Sequence, residues 1–315
     1  MPPTNLNSED NFIPNELSKH SMPKFGKILF IIIFTTVGVI SLSFGIVYLM
    51  KYLNEQITKP EQTEQITKQF KKFNLQPTLY RWLSTQVSKK NSSILIYDLN
   101  NQEIIARNND LSQNNSLGLE NLFLAYQVYT KIDQNAIKKD KLLTVGTEQI
   151  SVDNCLSKIL QENHSGCAAA LVSEIGENNL KQFLKDQSYA NTNFTSHLTN
   201  TADLLSLSKR LSTHPDFSEQ LWQEFRTKLT PQDNSKNPLL TGFSKLTVYG
   251  LYGAQTNDAT NASLSYPLFN NLYFLETKQE DPKDRQTFVL IFLASDIDAA
   301  SLIELTKNLE SAILE

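Results

Sequence analysis

The hydrophobic and polar positions divide the chain into two unlike parts. From Ile28 to Met50 there is no charged residue in ILFIIIFTTVGVISLSFGIVYLM. About 20 apolar residues span a hydrocarbon core of roughly 30 Å, so the run predicts a transmembrane helix over 27–50. It is longer than the core of a cleaved leader and ends in Tyr-Leu-Met-Lys, which favours an uncleaved signal anchor. Lys19, Lys24 and Lys27 outweigh Lys51 and Lys59, which places the N-terminus in the cytoplasm and the bulk of the chain outside. Residues 1–26, with Pro2, Pro3, Pro14 and Pro23, read as a flexible tail, and 51–76 as a polar stalk in which Glu-Gln-Ile-Thr-Lys occurs at 55–59 and 64–68.

From Pro77 to the end at 315 the periodicity is that of a packed domain. Leu79, Trp82, Leu83 and Val87 recur at helical spacing. Two β-rich runs, Ser93–Leu99 and Glu103–Arg107, flank an Asn-rich turn and predict a hairpin. Helical periodicity then occupies 119–132, 152–161, 167–174, 178–185, 201–212 and 217–227. Strand signals return at Lys245–Tyr252, Leu272–Thr277 and Thr287–Ala294, and an amphipathic helix closes the chain at Asp298–Leu314. The simplest packing joins all five strands in one antiparallel sheet, with the terminal helices on one face and the helical block on the other. The expected fold class is α+β, plus one N-terminal transmembrane helix.

Composition changes little. A net charge of −4 with 20% charged and 40% apolar residues suits a globular domain and gives no basic face for nucleic acid. Two cysteines, Cys155 and Cys167, and four histidines supply too few soft ligands for a structural zinc site, and no metal or cofactor is expected. In an oxidising compartment the two cysteines are expected to form a disulfide; the alternative is a pair of buried reduced thiols.

Several landmarks stand in a fixed order: Ala106-Arg-Asn-Asn-Asp110 after the first strand, Asn121-Leu-Phe-Leu-Ala125 opening a buried helix, Leu156–Gly176, Asn200-Thr-Ala-Asp-Leu204, Pro238-Leu-Leu, and Val248-Tyr-Gly-Leu-Tyr-Gly253. Over 77–315 this layout resembles the class A β-lactamase and penicillin-binding-protein superfamily of serine hydrolases. The resemblance implies chemistry from three clusters: Ser-x-x-Lys, Ser-Asp-Asn and Lys-Thr-Gly. At the matching positions stand Gly118 and Asn121, then Asn163, His164 and Ser165, then Leu251, Tyr252 and Gly253. Glycine has no nucleophile, and an asparagine amide takes no proton at neutral pH. No glutamate lies between Lys185 and Glu219, where the family's deacylating residue is expected. Ser116 is the fallback nucleophile, with Glu120 one turn along; His164 beside Ser165 is a weaker base–nucleophile pair. Tyr249 and Tyr252 either line a cleft or pack as ordinary strand tyrosines.

The expectation is therefore a membrane-anchored, extracytoplasmic pseudoenzyme of β-lactamase type that binds cell-wall fragments or an envelope partner protein. The alternatives are an active serine hydrolase with displaced residues, of β-lactamase or peptidoglycan-peptidase type, and a non-catalytic structural envelope protein.

Overall fold

A computed structural model describes residues 70–86, 92–213, 216–230, 237–255, 268–294 and 297–315. The predicted tail, the membrane segment over 27–50 and the stalk as far as 69 lie outside the described residues. Among the described residues no helix is long and apolar enough to cross a membrane. Phe70–Glu315 forms one compact unit.

Helix α1 (Gln76–Thr85) precedes strands β1 (Ser92–Asp98) and β2 (Glu103–Asn108). A long helical excursion follows, and the chain returns to the sheet with β7 (Thr247–Gln255), β8 (Leu268–Glu276) and β9 (Thr287–Ala294) before helix α9 (Ala299–Leu314). The five strands form one antiparallel sheet in the order β2-β1-β9-β8-β7. The expected α+β architecture is what the chain adopts.

Strand alternation sorts the side chains into two cores. Ile94, Ile96, Tyr273, Leu275, Phe288, Leu290 and Phe292 face α1 and α9, where they meet Leu79, Trp82, Leu302, Leu305 and Leu309. Leu95, Tyr97, Leu272, Phe274, Val289, Ile291 and Leu293 face the helical excursion. The indole of Trp82 donates to the Ser301 carbonyl at 2.8 Å, tying the two terminal helices together. Ahead of α1, Phe73 packs edge-on against Phe288 and Leu75 is buried in the same core.

The excursion contains α2 (Asn121–Asp133), α3 (Val152–Gln161), α4 (Ser165–Ile175), α5 (Glu177–Asp186), α6 (Thr201–Thr213), α7 (Glu219–Leu229) and the short α8 (Pro238–Gly242). Two small ribbons were not anticipated. One pairs β4 (Leu142–Val145) with β5 (Glu148–Ser151) around Gly146, whose φ of +62° suits a two-residue hairpin turn. The other pairs β3 (Asn114–Asn115) with β6 (Leu198–Thr199), which are too short to announce themselves by periodicity.

The expected disulfide is not formed: Cys155 on α3 and Cys167 on α4 are both free thiols with no solvent exposure. They pack among Leu156, Ile159 and Leu171 as small hydrophobes. Burial, and then the adjacent Cys167 thiol, push the Cys155 thiol up to about 12. Burial thus disfavours the Cys155 thiolate.

The start of β7 is held by a carboxylate. Glu310 of α9 accepts from the backbone N–H groups of Ser244, Lys245 and Leu246 at 2.8, 2.6 and 3.1 Å and from the Ser244 hydroxyl at 2.9 Å. Burial raises the Glu310 pKa, but these donors together outweigh it and leave it below the ordinary glutamate value. A depressed folded-state pKa contributes stability that is present above the unfolded value of about 4.3 and is lost as the pH falls through the folded one. Glu310→Gln is expected to cost about 1.5–3 kcal/mol in chemical denaturation at neutral pH. The cost should shrink in acid below pH ~4; a penalty independent of pH would contradict the assignment.

Candidate functional site

Helix α2 begins where the helical excursion meets the sheet. The segment leading to it, Asn115–Glu120, is fastened from three sides. The Ser116 N–H donates to the His197 carbonyl at 2.8 Å, the Leu117 N–H donates to Asn115 Oδ1 at 3.0 Å, and Asn270 of β8 donates to the Asn115 carbonyl. Gly253 of β7 lies so close that a Cβ built there would sit 2.2 Å from the Leu117 carbonyl oxygen. The site thus forms where β7, the turn before α2 and the α3–α4 loop converge.

Backbone strain gathers here. Leu117, Gly118, Asn163, Ser188 and His197 all have φ between +50° and +95°. Such a conformation is rare for leucine and free for glycine, and at the non-glycine positions it costs on the order of 1–3 kcal/mol unless the surroundings enforce it.

Position 118 has no room for a side chain. A Cβ there would lie 1.9 Å from Asn163 Oδ1 and 2.2 Å from Asn163 Cγ. Asn163 is held in that place by two bonds: its Nδ2 donates to the Leu117 carbonyl at 2.9 Å, and its Oδ1 accepts from Asn121 Nδ2 at 2.8 Å. Three of the predicted positions, Gly118, Asn121 and Asn163, therefore do meet. They meet as a polar amide bridge rather than as a hydroxyl beside an amine.

The other predicted residues separate. His164 is the N-cap of α4, its Nδ1 accepting from the Cys167 N–H at 3.1 Å, so it is not a base for Ser165. Ser165 opens α4 and lines the cavity described below. Leu251 is buried in the core beneath the helical excursion, on the same face of β7 as Tyr249 and Gly253. Tyr252 packs against the opposite core, toward the terminal helices. Tyr249 is also a packing residue: it stacks on Phe274, donates to Glu276 at 3.0 Å and lies under Arg226. The cleft role weighed for these two tyrosines is not met. Ser116, the fallback nucleophile, is fully buried, its hydroxyl has no hydrogen-bond partner among the described residues, and it does not line the cavity.

Beside the amide bridge opens a cavity of 1020 Å³, bounded by the start of α2, α4, α5 and the loop over 188–197. That loop is anchored by Asp203 of α6, whose Oδ2 accepts from the Asn191 N–H at 2.8 Å and from the Thr192 hydroxyl at 2.9 Å. Two wall residues stand out from the rest. Glu120 is 4% exposed, and its Oε1 lies 2.7 Å from Nδ1 of the exposed His197. Its Oε2 is buried with no hydrogen-bond partner among the described residues. An unsatisfied buried oxygen costs roughly 1–3 kcal/mol, and more when charged. The N-terminus of α2 offsets part of this through its dipole. The significance of His197 was not legible in the sequence: it lies 77 residues from Glu120, in a loop without periodicity. Among the described residues no group of three or more His, Cys, Asp or Glu is arranged to hold a metal ion.

The arrangement of sheet, helical excursion and site has relatives among solved structures. TLA-1 extended-spectrum β-lactamase superposes with a TM-score of 0.63 at 12% identity, covering 76% of this chain and 98% of that one. A β-lactamase from Xanthomonas campestris pv. campestris gives 0.62 at 11% identity, covering 77% and 100%. PBP-A gives 0.60 at 10% identity, covering 76% and 96%. This is a β-lactamase-like fold. No family model matches the chain in sequence, and no curated protein does so significantly. At these identities the likeness concerns the fold, and the β-lactamase-like scaffold is common ground on which site chemistry varies.

Within this β-lactamase-like scaffold the exclusion at position 118 is measurable. Gly118→Ala is expected to cost roughly 2 kcal/mol or more, from the positive φ and from the collision with Asn163. In an Asn163→Ala background only the backbone term remains, so the two substitutions should couple by about 1 kcal/mol in a double-mutant cycle of denaturation midpoints. Simple additivity would mean that Asn163 does not occupy that space.

Proposed function

We propose that the protein is a membrane-anchored, extracytoplasmic pseudoenzyme of β-lactamase type, which binds a ligand without acylating itself. The observation that carries this reading is the Asn163 side chain, which fills the volume a nucleophile at position 118 would need. Covalent catalysis in this scaffold needs a hydroxyl there and a nearby amine to take its proton. Here a bare glycine faces the Asn163 amide, and Asn121 donates a hydrogen bond to that amide. Ser116 offers no replacement, because it is enclosed.

The cavity of 1020 Å³ supports a binding role, since it matches the upper end of the volumes that hold small molecules. Cell-wall fragments or a segment of an envelope partner protein are the ligands we favour. Membrane attachment rests on the uncharged run Ile28–Met50, and the extracytoplasmic placement on the lysines ahead of it.

Incubating the purified protein with a fluorescent penicillin is expected to give no covalent band after denaturing electrophoresis. A chromogenic cephalosporin should be hydrolysed no faster than in buffer. A stable adduct, or turnover abolished by Ser116→Ala, would overturn the reading.

A further inference from the structure

Glu120 is the anomaly of the cavity. Its carboxylate is buried in the wall, one oxygen meets only an exposed histidine, and the other meets nothing among the described residues. Buried acceptors in folded proteins are satisfied by a partner almost without exception, and an orphan calls for an explanation. Polar side chains such as Asn115, Asn163, Ser165, Ser188, Thr192 and Asn193 also border the cavity, but none of them bonds to Oε2. Ala168 and Val172 of α4, Leu180 and Leu184 of α5, and Tyr189 and Phe194 of the loop form an apolar lining. Two exposed lysines of α5 also border the cavity: Lys181 is engaged with Glu177 at 2.6 Å, and neither Lys181 nor Lys185 bonds to Glu120.

We propose that this cavity takes a ligand with an apolar body and a protonated amine, the ammonium group donating to Glu120 Oε2 while the body lies against α4 and α5. The inference deepens the non-acylating reading above and rests on it for the site's being a binding site. An ammonium fits better than a neutral donor because a charge-assisted bond is stronger, and because the buried carboxylate otherwise lacks a close counter-ion other than His197. The apolar lining supplies affinity through burial, and Glu120 supplies orientation and selectivity for the charge.

The test compares two probes with one body and opposite heads, 4-phenylbutylammonium and 4-phenylbutanoate, titrated calorimetrically into the full chain and followed by ligand-observed NMR. The ammonium probe is expected to bind saturably, and the carboxylate at least tenfold more weakly. Glu120→Gln should weaken the ammonium probe about tenfold without weakening the carboxylate. Ala169→Trp, at an exposed position in the cavity wall, should abolish binding of both while circular dichroism and the melting temperature stay near the parent values. Equal binding of the two probes, indifference to Glu120→Gln, or no binding of either would overturn the proposal. Should Glu120→Gln fail to fold, the head-group comparison and Ala169→Trp still decide. A penicillin adduct would defeat the non-acylating reading without bearing on amine binding, whereas absent amine binding with no adduct would defeat this proposal alone.

Discussion

Burial of the central sheet on both faces is the constraint from which the rest of the structure follows. In β1 all seven residues are buried, and in β9 all but the first. Such a sheet needs cover on each side. The terminal helices α1 and α9 supply one layer, clamped by the Trp82–Ser301 hydrogen bond. The helical excursion between β2 and β7 supplies the other. Because α2 is its most buried helix, the start of α2 is carried to the edge of the sheet at β7, and a site arises there.

That junction is closed by neutral groups. Two asparagines and a glycine close on each other by hydrogen bonds of 2.8 and 2.9 Å. The three residues depend on one another. A residue larger than glycine at 118 would displace Asn163, and without Asn163 the Asn121 amide would lose its acceptor. The two amide side chains and the Leu117 carbonyl form a neutral network in which the Asn163 amide is both donor and acceptor.

An unsatisfied charged group lies a short distance from the junction. Glu120 sits on the same turn as Gly118, in the wall of the cavity, with one oxygen unsatisfied. The strained residues Leu117, Gly118, Asn163, Ser188 and His197 cluster at the amide bridge and around the cavity. Strain of this kind persists where the surrounding structure dictates the backbone, and it often accompanies a binding role. The two features share a cause: the turn before α2 is pinned by β8, β7 and the 188–197 loop at once, so it cannot relax.

Much of the fold was legible in the residues alone. Short β-rich runs marked all five strands of the main sheet, and helical periodicity located the longer helices to within a few residues, because a face buried on every turn leaves a repeating signal. The chemistry available at positions 118 and 121, a glycine and an asparagine, was equally plain, since it is written in residue identity. Three things were decided only by tertiary structure. The cysteines stand as free thiols enclosed in the core, and their burial is a property of packing. Tyr252 turns from the cleft because strand register assigns it to the other face. And the site's central contacts, Asn163 over Gly118 and His197 against Glu120, join residues 42 or more apart in loops that have no period to read. Local sequence encodes which face is buried and which atoms are available; only the closed chain determines which of those atoms share the same space.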